Sequence, residues 1–214
     1  MNFINEIEAY FDELKDILQK LDRNSINFII NKLIEVYAKG GMIYIFGNGG
    51  SASTASHFVN DFNKGVSGNL SKRFKFICLN DNVSTMMAVA NDISYDSIFK
   101  FQLENYLTPR DLVFGISGSG NSENVVQAIE YANSVGADTV ALLGFNGGKL
   151  KESTKHHILV PVNDMQKVED IHMILDHLMM KIIKEFLERC NTSQDEAAAY
   201  KECSCEMPVS TTPQ

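Results

Sequence analysis

The chain has no tryptophan, only 4 prolines and 4 cysteines in 214 residues, and fewer basic than acidic side chains. So few prolines leave long stretches able to run as unbroken helix or strand. The cysteines form no Cys-x-x-Cys pair and no zinc-finger spacing, which argues against a disulfide scaffold and a zinc finger and leaves Cys203-Ser204-Cys205 as a weak signal for metal binding or oxidation. Cys78 lies in the apolar run 74–79, where a thiol behaves as a small hydrophobe, and Cys190, Cys203 and Cys205 lie toward the C-terminal end. All four are expected to be reduced and non-catalytic. Nineteen Lys and Arg against 27 Asp and Glu give a net charge of −8, which argues against non-specific binding to nucleic acid or an anionic membrane. No apolar run approaches the roughly 18 residues of a membrane span. The opening Met1-Asn2-Phe3-Ile4-Asn5-Glu6 is acidic where a secretory signal would be basic. The expectation is a cytosolic protein with neither a nucleic-acid nor a membrane partner.

What is present is an ordinary globular mixture, 44% hydrophobic and 21% charged, of a length suited to one domain. Apolar residues recur at helical spacing over 3–21 (Phe3, Ile7, Phe11, Leu14, Leu18) and again over 25–38 (Ile26, Ile29, Ile30, Leu33, Tyr37). The period then changes. Residues 42–46 are a wholly apolar run ending in Gly47-Asn48-Gly49-Gly50-Ser51, the pattern of a strand buried on both faces and leading into a helix. Further strands are predicted over 74–79, 112–116, 139–143 and 158–162, with helices over 83–90, 95–107, 121–134 and 168–189. This alternation predicts an α/β fold: a flavodoxin-like, five-stranded parallel sheet with helices on both faces, preceded by the two N-terminal helices. Residues 1–190 read as a single domain and 191–214, rich in Ser, Thr, Glu and Pro, as a flexible tail.

In such a sheet a ligand binds beyond the carboxyl ends of the strands. Two loops there resemble each other: Gly47-Asn48-Gly49-Gly50-Ser51-Ala52-Ser53 and Ser117-Gly118-Ser119-Gly120-Asn121-Ser122-Glu123. Each joins an apolar strand to a helix N-terminus, where small residues let backbone N–H groups approach an anion. Neither carries the lysine of a nucleotide-hydrolysing P-loop. Gly47-x-Gly49-x-x-Ala52 meets a loose dinucleotide pattern, but the acid expected at the end of the second strand, here Asn80-Asp81, comes about ten residues late. A small phosphate ester held by serine hydroxyls and backbone amides fits better than a nucleotide.

Ionisable groups gather nearby. His57 and Asp61 stand four apart on the helix after the first loop, and so project from one face. In the last helix Glu169, His172, Asp176 and His177 interrupt a stretch of Ile, Met and Leu. Buried imidazoles and carboxylates need partners, which a metal or a polar substrate would supply. On one unbroken helix, however, Glu169 and His177 are separated by about 12 Å of rise, too far for one ion. Either the helix begins after Glu169 or different subunits contribute, and a site at a subunit contact is expected.

Taken together, Gly47-Asn48-Gly49-Gly50-Ser51 with His57-Phe58, Asn91-Asp92, the loop Ser117 to Ser122, and His172 and His177 five apart resemble the sugar isomerase (SIS) domain family, on its heptose branch. The resemblance covers the chain to about residue 190. It implies an aldose–ketose isomerase acting on a phosphorylated sugar, sedoheptulose 7-phosphate, through an enediolate. It also implies one zinc ion per site and a homotetramer with sites at subunit contacts. Substrate contacts carry over to Asn48, Gly49, Gly50, Ser51, Asn91, Asp92, Ser117, Gly118, Ser119, Asn121 and Ser122, with Asp61 and Glu169 facing the sugar. Zinc ligands carry over to His57 and His177, with Asp61 and Glu169 at the remaining two positions. Asp61, Glu169 and His177 are the catalytic candidates. The chain departs from the family at Asp61, where a glutamate is usual, at Glu169, a glutamine, and at Gly118, often a threonine. Family members also serve as sugar-phosphate-binding regulators without turnover, and some isomerise other phosphosugars; both are the alternatives.

Overall fold

The computed structural model describes residues 1–192; the rest of the expected tail, with Cys203 and Cys205, lies outside the described residues. Two helices, α1 (Ile4–Lys20) and α2 (Arg23–Lys39), precede strand β1 (Ile43–Gly47). The Asp22 carboxylate caps α2 by accepting from the Asn24 N–H, and Gly40, at φ 70°, ends it in the left-handed region that favours glycine. There follow α3 (Gly50–Asn60), β2 (Phe76–Cys78), α4 (Val83–Asp92), α5 (Lys100–Glu104), β3 (Leu112–Ser117), α6 (Glu123–Val135), β4 (Asp138–Gly144), α7 (Leu150–Ser153), β5 (His156–Val160) and α8 (Met165–Thr192).

The five strands form one parallel sheet in the order β2-β1-β3-β4-β5, the flavodoxin-like order expected. Each central strand is buried throughout because the sheet lies between two cores. Side chains alternate across a strand, so Ile43 and Ile45 of β1 enter one core with α1, α2, α3 and α8, while Tyr44 and Phe46 enter the other with α5 and α6. This double burial explains the unbroken apolar runs in the sequence. Because β1 pairs with β3 in the register Gly47↔Ile116, the loops after these two strands leave the sheet side by side.

Three differences from the sequence reading matter. The segment 95–107 is not one helix but a 3-10 turn (Tyr95–Ser97) followed by α5, with the fully buried Ile98 and Phe99 between them. β5 ends at Val160 rather than 162, since Pro161 has no N–H to extend the ladder. The chain does not leave helix after α3: it continues through a π-helical turn, Asp61–Val66, and a 3-10 turn, Ser67–Asn69. π-turns of this kind are frequent at functional sites, and this one begins at Asp61. α8 runs unbroken from Met165 past both Glu169 and His177, which removes the first of the two explanations offered for their separation.

Candidate active site

The first bend, between β1 and α3, is fixed from several sides. Asn80 clamps Gly47, accepting its N–H at 3.2 Å and donating Nδ2–H to its carbonyl at 2.9 Å. A Cβ on Gly47 would meet the Ile116 carbonyl at 2.7 Å, so this strand end accepts only glycine. Asn48 is held by Asn124, the two amides exchanging hydrogen bonds of 2.9 and 3.0 Å, and its Oδ1 also accepts from the Tyr95 hydroxyl at 2.9 Å. The Glu169 carboxylate sits over Gly50: a Cβ there would come within 2.3–2.4 Å of its three terminal atoms. A carboxylate of the chain itself therefore occupies the N-terminus of α3, where the helix dipole favours negative charge. Ser51 is buried behind it.

The second bend, between β3 and α6, keeps its hydroxyls for something else. The Ser117 hydroxyl accepts from the Gly120 N–H at 3.1 Å and lies 3.4 Å from Ser122 Oγ. Ser119 Oγ accepts from the Asn121 N–H at 3.2 Å. Ser122 stands at the N-cap of α6 yet makes no capping hydrogen bond, the role that a serine there normally fills. Gly120 takes φ 66° and packs against the Gly147 carbonyl, which leaves no room for a side chain. A Cβ on Gly118 would meet Met165 Sδ at 2.5 Å, and that crowding explains glycine where a threonine is frequent.

One helical layer away, His57, Asp61 and His177 converge, each offering a ligand atom within 4.8 Å of the others. His57 Nε2 and His177 Nε2 are 3.1 Å apart, and Asp61 Oδ2 lies 3.6 Å from the first and 3.8 Å from the second. Tetrahedral zinc, bonded at about 2.0–2.1 Å to nitrogen and oxygen, holds its ligand atoms about 3.3 Å apart. Two imidazole nitrogens and a carboxylate oxygen at these separations fit such an ion and leave a fourth position for a substrate oxygen. The short Asp61 side chain reaches the cluster from helical backbone, four residues after His57, at the residue where the π-turn starts. Its Oδ1 accepts from Asn60 Nδ2 at 3.2 Å.

The structure does not bring every predicted residue together. Glu169 lies at the first bend and outside the His57–Asp61–His177 cluster, since the intact α8 keeps it two turns from His177. Asn91 and Asp92, exposed in the last turn of α4, hydrogen-bond to each other at 2.7 Å. The sequence reading overlooked Asn124 and Tyr95, which hold Asn48, and Asn80, which holds Gly47. It named Asp176 without a role. Asp176 is fully buried one residue before His177, and neither carboxyl oxygen has a hydrogen-bond partner. Burial, helped by the neighbouring charge of Asp61, pushes its pKa up to about 8. An unpartnered buried polar group costs about 1–3 kcal/mol. One turn earlier, the fully buried His172 approaches the Leu143 carbonyl with Nε2 at 3.3 Å, and burial lowers its pKa to about 4. A neutral His172 donating Nε2–H to that carbonyl is the core histidine of the pair.

Comparison with known proteins agrees with this arrangement. Residues 9–144 match the SIS domain family. The chain is 34% identical over 184 residues to a probable phosphoheptose isomerase of Thermoplasma volcanium, covering 85% of this chain and 92% of that one. It is 34% identical over 193 residues to a phosphoheptose isomerase of Helicobacter pylori, covering 87% and 96%. The solved phosphoheptose isomerase of Neisseria gonorrhoeae superposes with a TM-score of 0.79 at 26% identity, over 86% of this chain and all of that one. In sheet order, in the paired bends and along most of its sequence, the chain belongs to the SIS domain family, among the phosphoheptose isomerases.

Proposed function

We propose that the chain is a cytosolic, zinc-assisted isomerase that converts sedoheptulose 7-phosphate to a heptose 7-phosphate. The observation that carries the reading is the convergence of His57, Asp61 and His177 from separate elements beside two amide-rich bends. The serine bend, with the Ser119 and Ser122 hydroxyls and the amides at the start of α6, receives the phosphate. Its binding energy orients the sugar from a distance. The first bend, with Asn48 locked and Gly49 and Gly50 presenting backbone, faces the sugar chain, and Glu169 stands there to accept its hydroxyl protons. Zinc held by His57, Asp61 and His177 supplies a Lewis acid for the carbonyl end of the open-chain sugar.

The proton traffic falls to the chain's own groups. Asp61, rather than Glu169, is the proton carrier in this reading because it stands in the cluster. Its carboxylate takes the proton from the carbon beside the ketone, and that C–H pair becomes the carbon–carbon double bond of the enediolate. While the carboxyl holds that proton it exchanges with solvent, and a proton is then delivered to the former carbonyl carbon as the hydroxyl proton of the neighbouring carbon passes to the former carbonyl oxygen, leaving an aldose with no net change in atoms. A carboxylate has enough lone pairs for one oxygen to meet the imidazoles while the other handles the proton. His177, half-exposed with Nε2 turned to the cluster, would hold the metal through that nitrogen, and the protons of the sugar oxygens pass by way of Asp61 and solvent.

The chain works as a homo-oligomer, a tetramer, with sites at subunit contacts. The exposed apolar faces of α1 (Ile4, Ile7, Phe11) and α8 (Ile174, Leu178, Ile182) support this, as surfaces a second copy would cover. The test is incubation with a panel of ketose phosphates in deuterated water, with and without a chelator. Deuterium entering the sugar beside its carbonyl, lost on chelation, is expected with sedoheptulose 7-phosphate. His177→Ala should lose about a thousandfold in turnover with little change in KM. Absence of exchange with every ketose, or unchanged turnover in His177→Ala, would move the reading to a sugar-phosphate-binding regulator.

A further inference from the structure

We infer that Asp176 is a positioning residue for the His57–Asp61–His177 cluster, its buried carboxyl set behind Asp61 to hold that side chain in line with the two imidazoles. The inference rests on the cluster's reading as a zinc and proton-transfer site. Asp176 occupies the apolar stripe of α8 formed by Val168, Ile171, Leu175, Met179 and Ile183, all buried against the sheet. A leucine would serve that stripe better than a carboxyl group with neither oxygen partnered, and such groups in folded proteins call for an explanation. Packing gives none.

Position does. Consecutive residues on a helix diverge by about 100°, so while His177 turns outward to the cluster, Asp176 turns inward beneath it. α8, which carries Asp176, packs directly against the π-turn that Asp61 opens. Asp61, for its part, is under-held. It opens a π-turn, a place where the helical ladder is interrupted, and among the described residues its one hydrogen bond from a side chain is the 3.2 Å contact from the adjacent Asn60. Its other oxygen faces the imidazoles at 3.6 and 3.8 Å. Carboxylates in metal and proton-transfer sites are in turn hydrogen-bonded by a further layer of side chains, and losing that layer typically costs 10–100-fold in metal affinity or activity. Asp176 is the group available to fill that layer, through a buried water shared with the equally unpartnered His172 Nδ1 one turn away.

The test compares Asp176→Leu, Asp176→Ala and Asp176→Asn in the full chain. Zinc affinity is measured by competition with a chromophoric chelator. In the metal-free protein, the His57 and His177 imidazole signals are followed by NMR. Asp176→Leu is expected to raise the Tm by several degrees while weakening zinc about 10–100-fold, lowering kcat about as much, and shifting both imidazole signals, with KM nearly unchanged. Asp176→Ala, which leaves a cavity, should lower the Tm yet lose zinc to the same degree. Asp176→Asn, which keeps a hydrogen-bonding group of the same shape, should restore zinc affinity and kcat to within about threefold of the parent. A merely structural role predicts changes in Tm alone, so parental zinc affinity and imidazole signals in Asp176→Leu or Asp176→Ala overturn the inference. An Asp176→Asn protein as impaired as Asp176→Leu does so as well. The imidazole signals decide the question without metal or turnover, so a protein that isomerises none of the ketoses still tests it.

Discussion

The two bends at the carboxyl end of the sheet look alike in sequence and differ in what fills them. Around the first, the amide and acid side chains are spoken for: Asn48 is shared between Asn124 and Tyr95, Asn80 holds Gly47, and the Glu169 carboxylate lies over Gly50 at the head of α3. Around the second, Ser119 and Ser122 point no hydrogen at any protein acceptor, and the N-cap serine caps nothing. A helix N-terminus that already faces a carboxylate has less to offer a phosphate, while one rimmed by uncommitted hydroxyls is ready for it. The two bends therefore divide the substrate between them, the phosphate to the second and the carbon chain to the first. Composition alone suggests two equivalent anion sites; packing makes them different.

The sharpest way to break this comparison is to strip the second bend. Replacing Ser119 and Ser122 together by alanine removes two hydrogen bonds to a charged group, each worth about 1.5–3 kcal/mol. KM for the sugar phosphate should rise at least a hundredfold, with a Tm close to that of the parent. An equal KM in the double variant would mean that the phosphate sits in the first bend after all.

Gly50→Ala probes the first bend and should have a smaller effect. The new Cβ would collide with the end of the Glu169 side chain, which is flexible enough to swing aside. Alanine also favours helix over glycine by about 0.5–1 kcal/mol. The variant should therefore melt at or slightly above the parental temperature while losing about tenfold in kcat/KM, because the carboxylate no longer faces the sugar. Parental activity would show that the placement of Glu169 is incidental. Glu169→Gln, which keeps the shape and removes the charge, should change kcat/KM by only about threefold; a loss as large as that of the Asp61→Asn variant would instead make Glu169 the proton carrier.

Much of this was legible in the sequence. The fully apolar runs at 43–46 and 112–116 read as strands covered on both faces, and the alternation with helices makes the sheet parallel, while the order of its strands is set by the folded chain. The two bends stand out by composition. His57 and Asp61 are paired by helical spacing, though nothing in the residues announces the π-turn that begins at Asp61 and packs against α8. His172 and His177 look equivalent as letters. Five residues apart on one helix, they point about 140° away from each other, and only one can share a face with the buried stripe Val168, Leu175 and Met179. The same wheel places Asp176 with His172, inside, so its burial was readable as well. Asn124 and Tyr95 carry no such signal: each meets Asn48 only through the folding of distant segments.

The smallest expected effect separates the second bend from the first by its response to acid. Beneath the serine bend, the Gly118 carbonyl accepts from the Gly144 N–H at 2.9 Å, and the preceding residue, Leu143, offers its carbonyl to His172 at 3.3 Å. His172 is fully buried, and its pKa lies near 4 when folded against about 6.5 in the unfolded chain. Below pH 6.5 the unfolded chain takes up a proton that the folded one refuses, so the contribution of a neutral His172 is complete above pH 6.5 and is lost as the pH falls toward 4. The loss approaches about 1.4 kcal/mol per pH unit within that window. His172→Leu removes this one dependence and leaves all others, so over the roughly 1 kcal/mol lost between pH 6.5 and pH 5.5 the variant's Tm should gain on the parent's by about 2–4 °C. Gly50→Ala, at the other bend, should track the parent over the same range. If the two variants show parallel pH profiles, then His172 is not the acid-sensitive support under the serine bend, and the bends do not differ in this respect.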